Sequence, residues 1–283
     1  MAEILKGVSV VAVLNEEMAR EVESLKRLGI VPTLAIVRVG EREDDIAYER
    51  GAMKRCEKVG VEVKQVRLPG DCSEGALIAA LQDLNNDDKV HGVLLFRPLP
   101  KYMDDDRVRN TLSPEKDIDG ITDLSLAGVF AGTDTGYAPC TAQACMEILD
   151  YYGIDPKGKK AVVVGRSLVV GKPVAMMLIA KHATVTVCHT RTLDMPSVCR
   201  EGEILIVSAG RPKIVDKRYL APGQTVIDVG INVLEDGRMC GDVDFEAAED
   251  IVGAITPVPG GVGTVTTSVL VKHVVQAAKK VAS

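Results

Sequence analysis

The sequence predicts an α/β protein of two lobes, the C-terminal one built on a parallel sheet. Three observations carry that prediction. The apolar run Ala161–Val164 stops at Gly165, and Gly171 then opens an apolar helical segment, giving strand, glycine turn and helix in succession. Four more short apolar runs follow, Thr184–Cys188, Ile204–Ser208, Thr225–Val229 and Gly253–Ile255, separated by helix-length or loop segments. Strands buried on both faces read in this way. The N-terminal half repeats the same rhythm.

In that half Thr33–Val39 reads as a strand, Asp44–Val59 as a helix and Val61–Leu68 as a strand. Ser73–Leu84 is a helix with Ser73 placed to cap it, and Val90–Phe96 is a third strand. Pro98-Leu99-Pro100 then halts regular structure. The polar, glycine-dotted stretch Asp117–Gly136 approaches a domain boundary, and a last helix, about Val265–Val281, returns to the first lobe. The expected division is therefore residues 1–137 with 266–283 as a substrate lobe and 138–265 as a nucleotide lobe. With no low-complexity linker between them, the lobes are expected to pack as a unit around a cleft.

Composition narrows the function classes. At 283 residues the chain is long enough for two modest domains, and 46% hydrophobic with 26% charged residues is a globular balance. Three Phe, six Tyr and no Trp leave the core to aliphatic side chains. A net charge of −6 argues against a general nucleic-acid or membrane-surface binder, and no apolar run is long enough to span a bilayer. The N-terminus carries an acidic third residue and no small-residue cleavage pattern, so it does not read as a signal peptide. Seven cysteines without C-x-x-C or His/Cys metal spacing predict reduced thiols in a cytoplasmic protein and no metal site. Cys56, Cys145 and Cys188 read as packing residues.

The chemistry begins at Gly165-Arg166-Ser167. A strand ending in glycine before a helix brings backbone N–H groups and a helix N-terminus up to a phosphate. The next strand ends His189-Thr190-Arg191 with no carboxylate to accept ribose hydroxyls. Together with Arg166 this favours NADP, with NAD as the other option. Ordinary surface cations in a doubly wound domain are the plainer alternative. Three further constellations stand out. Tyr48, Ala52 and Arg55 share a face of their helix, although a helical Tyr alone more often packs than reacts. Lys116-Asp117-Ile118-Asp119-Gly120, taken alone, is a solvated turn. Thr256 to Gly263 holds two prolines and three glycines, either a tight turn or a bare surface that admits a flat ring.

In order and spacing these motifs resemble the methylenetetrahydrofolate dehydrogenase/cyclohydrolase family along essentially the whole chain. The most specific matches are Val164-Gly165-Arg166-Ser167 with Val170-Gly171 and Pro173, and Pro257 to Gly263. Lys116 to Gly120, Pro139-Cys140-Thr141, Gly210-x-Pro212 and Asp228 to Asn232 support them. The resemblance implies a two-lobed homodimer with a Rossmann-type lobe for NADP, sometimes NAD, and a folate derivative bound in the interlobe cleft. It implies cofactor contacts at Gly165, Arg166, Ser167, Thr190, Arg191 and Ile231. It implies folate contacts at Tyr48, Ala52, Leu95, Phe96, Arg97, Asp119 and Pro259-Gly260-Gly261-Val262-Gly263, with Tyr48 and Asp119 as catalytic residues. Asp119 would hold the pterin ring through paired hydrogen bonds.

The chain departs from the family pattern where the second reaction is concerned. The family helix reads S-x-x-Y-V-x-x-K, and its lysine is the cyclohydrolase acid/base. Here the serine, valine and lysine positions are Asp45, Glu49 and Ala52, and Phe96 replaces the supporting glutamine. Gly263-Thr264-Val265-Thr266 replaces G-P-M-T. The expectation is a dehydrogenase with weak or absent cyclohydrolase activity. The alternatives are a bifunctional enzyme recruiting another base, such as Asp44 or Asp45, and a re-purposed nucleotide-binding paralogue.

Overall fold

The computed structural model describes residues 1–282. The elements, in chain order, are β1 (Glu3–Ile4), α1 (Gly7–Arg27), β2 (Thr33–Val39), α2 (Glu43–Val59), β3 (Glu62–Leu68), α3 (Glu74–Asn85) and β4 (Gly92–Leu95). After these come α4 (Asp105–Arg109), α5 (Asp123–Ala131), α6 (Cys140–Tyr151), β5 (Lys160–Val164), α7 (Gly171–Ala180), β6 (Thr184–Cys188), α8 (Met195–Arg200) and β7 (Ile204–Val207). The chain ends with β8 (Thr225–Asp228), β9 (Asn232–Val233), β10 (Met239–Cys240), α9 (Phe245–Ala248), β11 (Ala254–Ile255) and α10 (Val262–Val281). Two compact units result, Met1–Ala12 with Thr141–Thr266, and Val13–Cys140 with the residues from Thr267 onward.

The first unit carries a six-stranded sheet in the order β1-β11-β8-β7-β5-β6, every neighbour parallel. The inner strands are apolar on both faces: Ala161–Val164 and Ile204–Val207 are each buried throughout, as a sheet covered on both sides requires. After β5 the chain adds β6 on one side and then β7 on the other. Strand order therefore reverses between β5 and β7, and α/β sheets bind ligands at the carboxyl ends of strands at such a point. The sequence division assigns the first twelve residues to the substrate lobe. The structure corrects this: Glu3 and Ile4 pair with Ala254 and Ile255, so the N-terminal segment completes the larger sheet.

The second unit has the three-stranded parallel sheet β3-β2-β4. Its core joins Val37 and Leu95 of the sheet to Leu77 and Leu81 of α3. Ser73 caps α3, accepting a hydrogen bond from Ala76 N at 3.2 Å. On α2 the buried positions are Asp45, Glu49, Ala52, Cys56 and Val59, one helical stripe that includes two carboxylates. Glu49 is satisfied from below: Arg38 of β2 donates from Nε at 3.1 Å, Arg67 of β3 from Nη2 at 3.3 Å, and Gln65 completes the set. Gly60, left-handed at φ 84°, ends the helix.

Candidate active site

In the six-stranded unit the cradle forms where β5 meets α7. Gly165 is at φ +120°, and a Cβ there would lie 2.4 Å from the Ser208 carbonyl oxygen. A Cβ on Gly171 would lie 2.3 Å from the Gly165 carbonyl oxygen, so both positions demand glycine for the strand, the turn and the helix to approach. Ser167 Oγ accepts from Val170 N at 3.1 Å, ordering the turn into α7. Arg166, Ser167, Thr190 and Arg191 are all exposed, and the two arginines enter no ion pair among the described residues. Arg166 stands in the turn that leads into α7, and Arg191 follows the end of β6.

The same unit brings Ile231 to the proline–glycine turn. A cavity of about 220 Å³ is lined by Asp228 to Ile231, Met239 and Pro257 to Thr264. Gly260, at φ +106°, and Gly261, whose Cβ would lie 2.5 Å from the Pro257 carbonyl oxygen, let the chain turn tightly here and carry no side chain at either position. Of the two alternatives for this segment, the structure shows the tight turn.

In the three-stranded unit Tyr48, Phe96 and Asp119 share one neighbourhood. Tyr48 meets the Phe96 ring edge-on at 5.8 Å. Desolvation raises the Tyr48 phenol well above its usual range, and the charge of Asp119 adds to this, while the Thr267 hydroxyl opposes it. The hydroxyl is thus held neutral. The two carboxylates of the Asp117–Asp119 segment have separate tasks. Asp117 is fully buried and accepts from Ile121 N, Thr122 N and Ser125 Oγ at 3.0, 2.8 and 2.6 Å. This corrects the solvated-turn reading, because Asp117 is the interior anchor that shapes the loop. Asp119 is half-buried, and burial pushes its carboxyl up to about 6, helped by Asp117 and opposed by the Cys140 thiol and Arg97. Cys140 and Thr267 are contributors that sequence reasoning did not assign to this site. Their signal is spatial, since neither stands next to Tyr48 or Asp119 in the chain.

Ala52 is fully enclosed, on the core-facing stripe of α2. Leu95 is buried as the last residue of β4, whereas Arg97 is exposed and engages Asp105, Nε to Oδ1 at 2.7 Å. The Arg97–Pro100 segment, with Met103 and Asp105, borders a cavity of about 470 Å³. Of the alternative bases, Asp45 lies on the buried stripe 3.7 Å from Arg42 Nη2, and Asp44 is exposed. Arg55 donates to Asn15 Oδ1 at 3.4 Å. No group of three or more metal-ligating side chains converges among the described residues.

Comparison with known proteins gives the chain its family. Residues 5–119 fit the catalytic-domain model of tetrahydrofolate dehydrogenase/cyclohydrolase, and residues 139–282 fit its NAD(P)-binding-domain model. The bifunctional protein FolD of Alkaliphilus oremlandii is 48% identical over 279 residues, 99% of this chain and 98% of that protein. The FolD of Carboxydothermus hydrogenoformans is 50% identical over 279 residues, covering 98% and 97%. Among solved structures, the FolD methylenetetrahydrofolate dehydrogenase/cyclohydrolase of Campylobacter jejuni superposes with a TM-score of 0.96 at 36% identity, covering 99% of each chain. The Trypanosoma brucei dehydrogenase-cyclohydrolase, complexed with NADP cofactor and an inhibitor, superposes at 0.91 with 33% identity, covering 99% of this chain and 98% of that one. The chain belongs to the tetrahydrofolate dehydrogenase/cyclohydrolase family and is an enzyme with a folate-transforming catalytic domain and an NAD(P)-binding domain.

Proposed function

We propose that this enzyme oxidises 5,10-methylenetetrahydrofolate to 5,10-methenyltetrahydrofolate with NADP, and that it hydrolyses the methenyl product weakly or not at all. Gly165, Arg166, Ser167, Thr190 and Arg191 hold the phosphates of the cofactor, the two arginines taking the 2′-phosphate, and Ile231 flanks the nicotinamide end. Bound NADP supplies the hydride acceptor. The hydride leaves the methylene carbon with its bonding pair, and the remaining cation is stabilised by the adjoining nitrogens. No side chain has to take a proton in that step, so orientation carries the rate. Asp119, ionised above about pH 6, offers two acceptor oxygens to the paired N–H donors of the pterin ring. Tyr48 offers a neutral hydroxyl, and the glycines of the Pro259–Gly263 turn admit a flat ring.

Hydrolysis is a different demand. Water must lose a proton as it adds to the methenyl carbon, and a ring nitrogen must gain one as its C–N bond breaks. A poised acid/base contributes about 10²–10⁴ in rate to such steps. The observation that carries the proposal is the pair Ala52 and Phe96: one is enclosed without an ionisable group, the other fills its space with a ring packed on Tyr48. The double substitution Ala52→Lys with Phe96→Gln tests it. Cyclohydrolase activity rising at least tenfold, with the dehydrogenase rate little changed, supports the reading; no gain in a folded double variant counts against it. The same reading carries a homodimer in the cytoplasm, acting on folate derivatives with no nucleic-acid or membrane partner. No helix among the described residues is long and apolar enough to cross a membrane.

A further inference from the structure

The geometry points to Asp242 as a positioning residue for the nicotinamide end of the dinucleotide site, an inference that rests on the functional reading above. Asp242 is fully buried, and its carboxylate accepts four hydrogen bonds. Oδ2 takes Ala209 N at 2.6 Å and Gly210 N at 2.8 Å; Oδ1 takes Arg211 N and Asn232 Nδ2, each at 2.9 Å. Three consecutive backbone N–H groups form a concave donor nest of the kind that binds anions, and here the chain fills it with its own carboxylate.

Both loops that Asp242 grips bear on the dinucleotide site. Residues 209–211 continue from Ser208, whose carbonyl oxygen sets the close approach of Gly165 in the phosphate cradle. Asn232 follows Ile231, which lines the 220 Å³ cavity with the proline–glycine turn. Asp242 is itself held by Asp228 at the end of β8. Asp228 Oδ1 accepts Asp242 N and Gly230 N at 3.0 Å, and its Oδ2 accepts Val243 N at 2.9 Å. The two glycines beside these carboxylates leave them room. A Cβ on Gly230 would lie 2.2 Å from the Asp242 carboxyl carbon, and one on Gly241 would lie 1.8 Å from Asp228 Oδ2. One carboxylate thus fixes the segment after β7 to the segment after β8, beyond the carboxyl ends of two inner strands, where α/β sheets bind their ligands.

Asp242→Asn keeps the shape but turns an amide NH₂ toward two of the four donors. The test is NADPH binding by fluorescence titration, with the single-turnover rate of hydride transfer and the thermal midpoint measured beside it. The expected result is a dissociation constant raised about tenfold and a hydride step slowed roughly 10–100-fold, the scale of a small misplacement of reacting atoms. If the amide variant does not fold, Asn232→Ala removes one of the four donors and should weaken NADPH binding roughly threefold or more. A lower midpoint with binding and hydride transfer within twofold of wild type would mark a structural role and overturn the inference alone. A wild-type chain that binds no NADPH overturns the functional reading and the inference together.

Discussion

Replacing Glu49 with alanine should cost this protein about 3–5 kcal/mol, the usual penalty for breaking a buried ion pair from one side. Three partners meet the carboxylate, and they do not contribute equally. Arg67 has a side chain 57% exposed and regains water when released, so its share is small. The Arg38 side chain is 5% exposed and cannot do so. Without Glu49, its guanidinium keeps the Gly40 carbonyl oxygen as a partner and loses the countercharge at 3.1 Å. The penalty therefore belongs almost wholly to Arg38. Urea unfolding followed by far-UV circular dichroism measures it, and a cycle with Arg38→Met separates the pair from its surroundings. Glu49→Leu with Arg38→Met should recover most of the loss, because two apolar side chains of similar volume leave no buried charge. A single substitution costing less than about 1 kcal/mol, or a double variant no better than the singles, would refute the reasoning. Because Glu49 seats α2 on the sheet one residue after Tyr48, the single variant should also weaken folate binding.

Two further outcomes follow from the charges. Removing Arg166 and Arg191 together should raise KM for NADP at least tenfold more than KM for NAD; equal effects on the two cofactors would remove the 2′-phosphate from these residues. For Asp119 the folded carboxyl titrates at about 6, above the unfolded value near 3.9, so the folded state holds its proton longer. Its contribution to stability, about 2–3 kcal/mol, is complete below about pH 4 and is lost as pH rises through about 6. Asp119→Asn should flatten that part of the stability–pH curve, and a curve of unchanged slope between pH 4 and 6 would contradict the assignment. Folate binding should move the other way, strengthening as pH rises through about 6 and the carboxylate becomes an acceptor.

Much of this architecture is written locally in the chain. The strand–glycine–helix of Val164 to Gly171, the Ser73 cap and the proline–glycine turn each declare their structure within a few residues, because backbone conformation decides them. What was not legible depends on partners distant in sequence. Asp117 and Asp119 look equivalent in the sequence, and the difference lies in Ile121, Thr122 and Ser125 closing on one of them. Glu49 on a buried stripe reads as an error in the pattern until Arg38 and Arg67 are brought beneath it by the β2–β3 pairing. Asp242 reaches Asn232 through the β9–β10 pairing, in which Cys240 stands opposite Asn232. The two-residue strand β1 is too short to carry a periodic signal of its pairing with β11.

The central claim is that one of the family's two reactions persists here without the other. A single time course with 5,10-methylenetetrahydrofolate and NADP, following NADPH and the methenyl product together, tests it most directly. Methenyltetrahydrofolate accumulating in step with NADPH is the predicted result. NADPH rising while the methenyl product stays well below it, faster than spontaneous hydrolysis removes it, would show that another base serves the hydrolysis and would contradict the account.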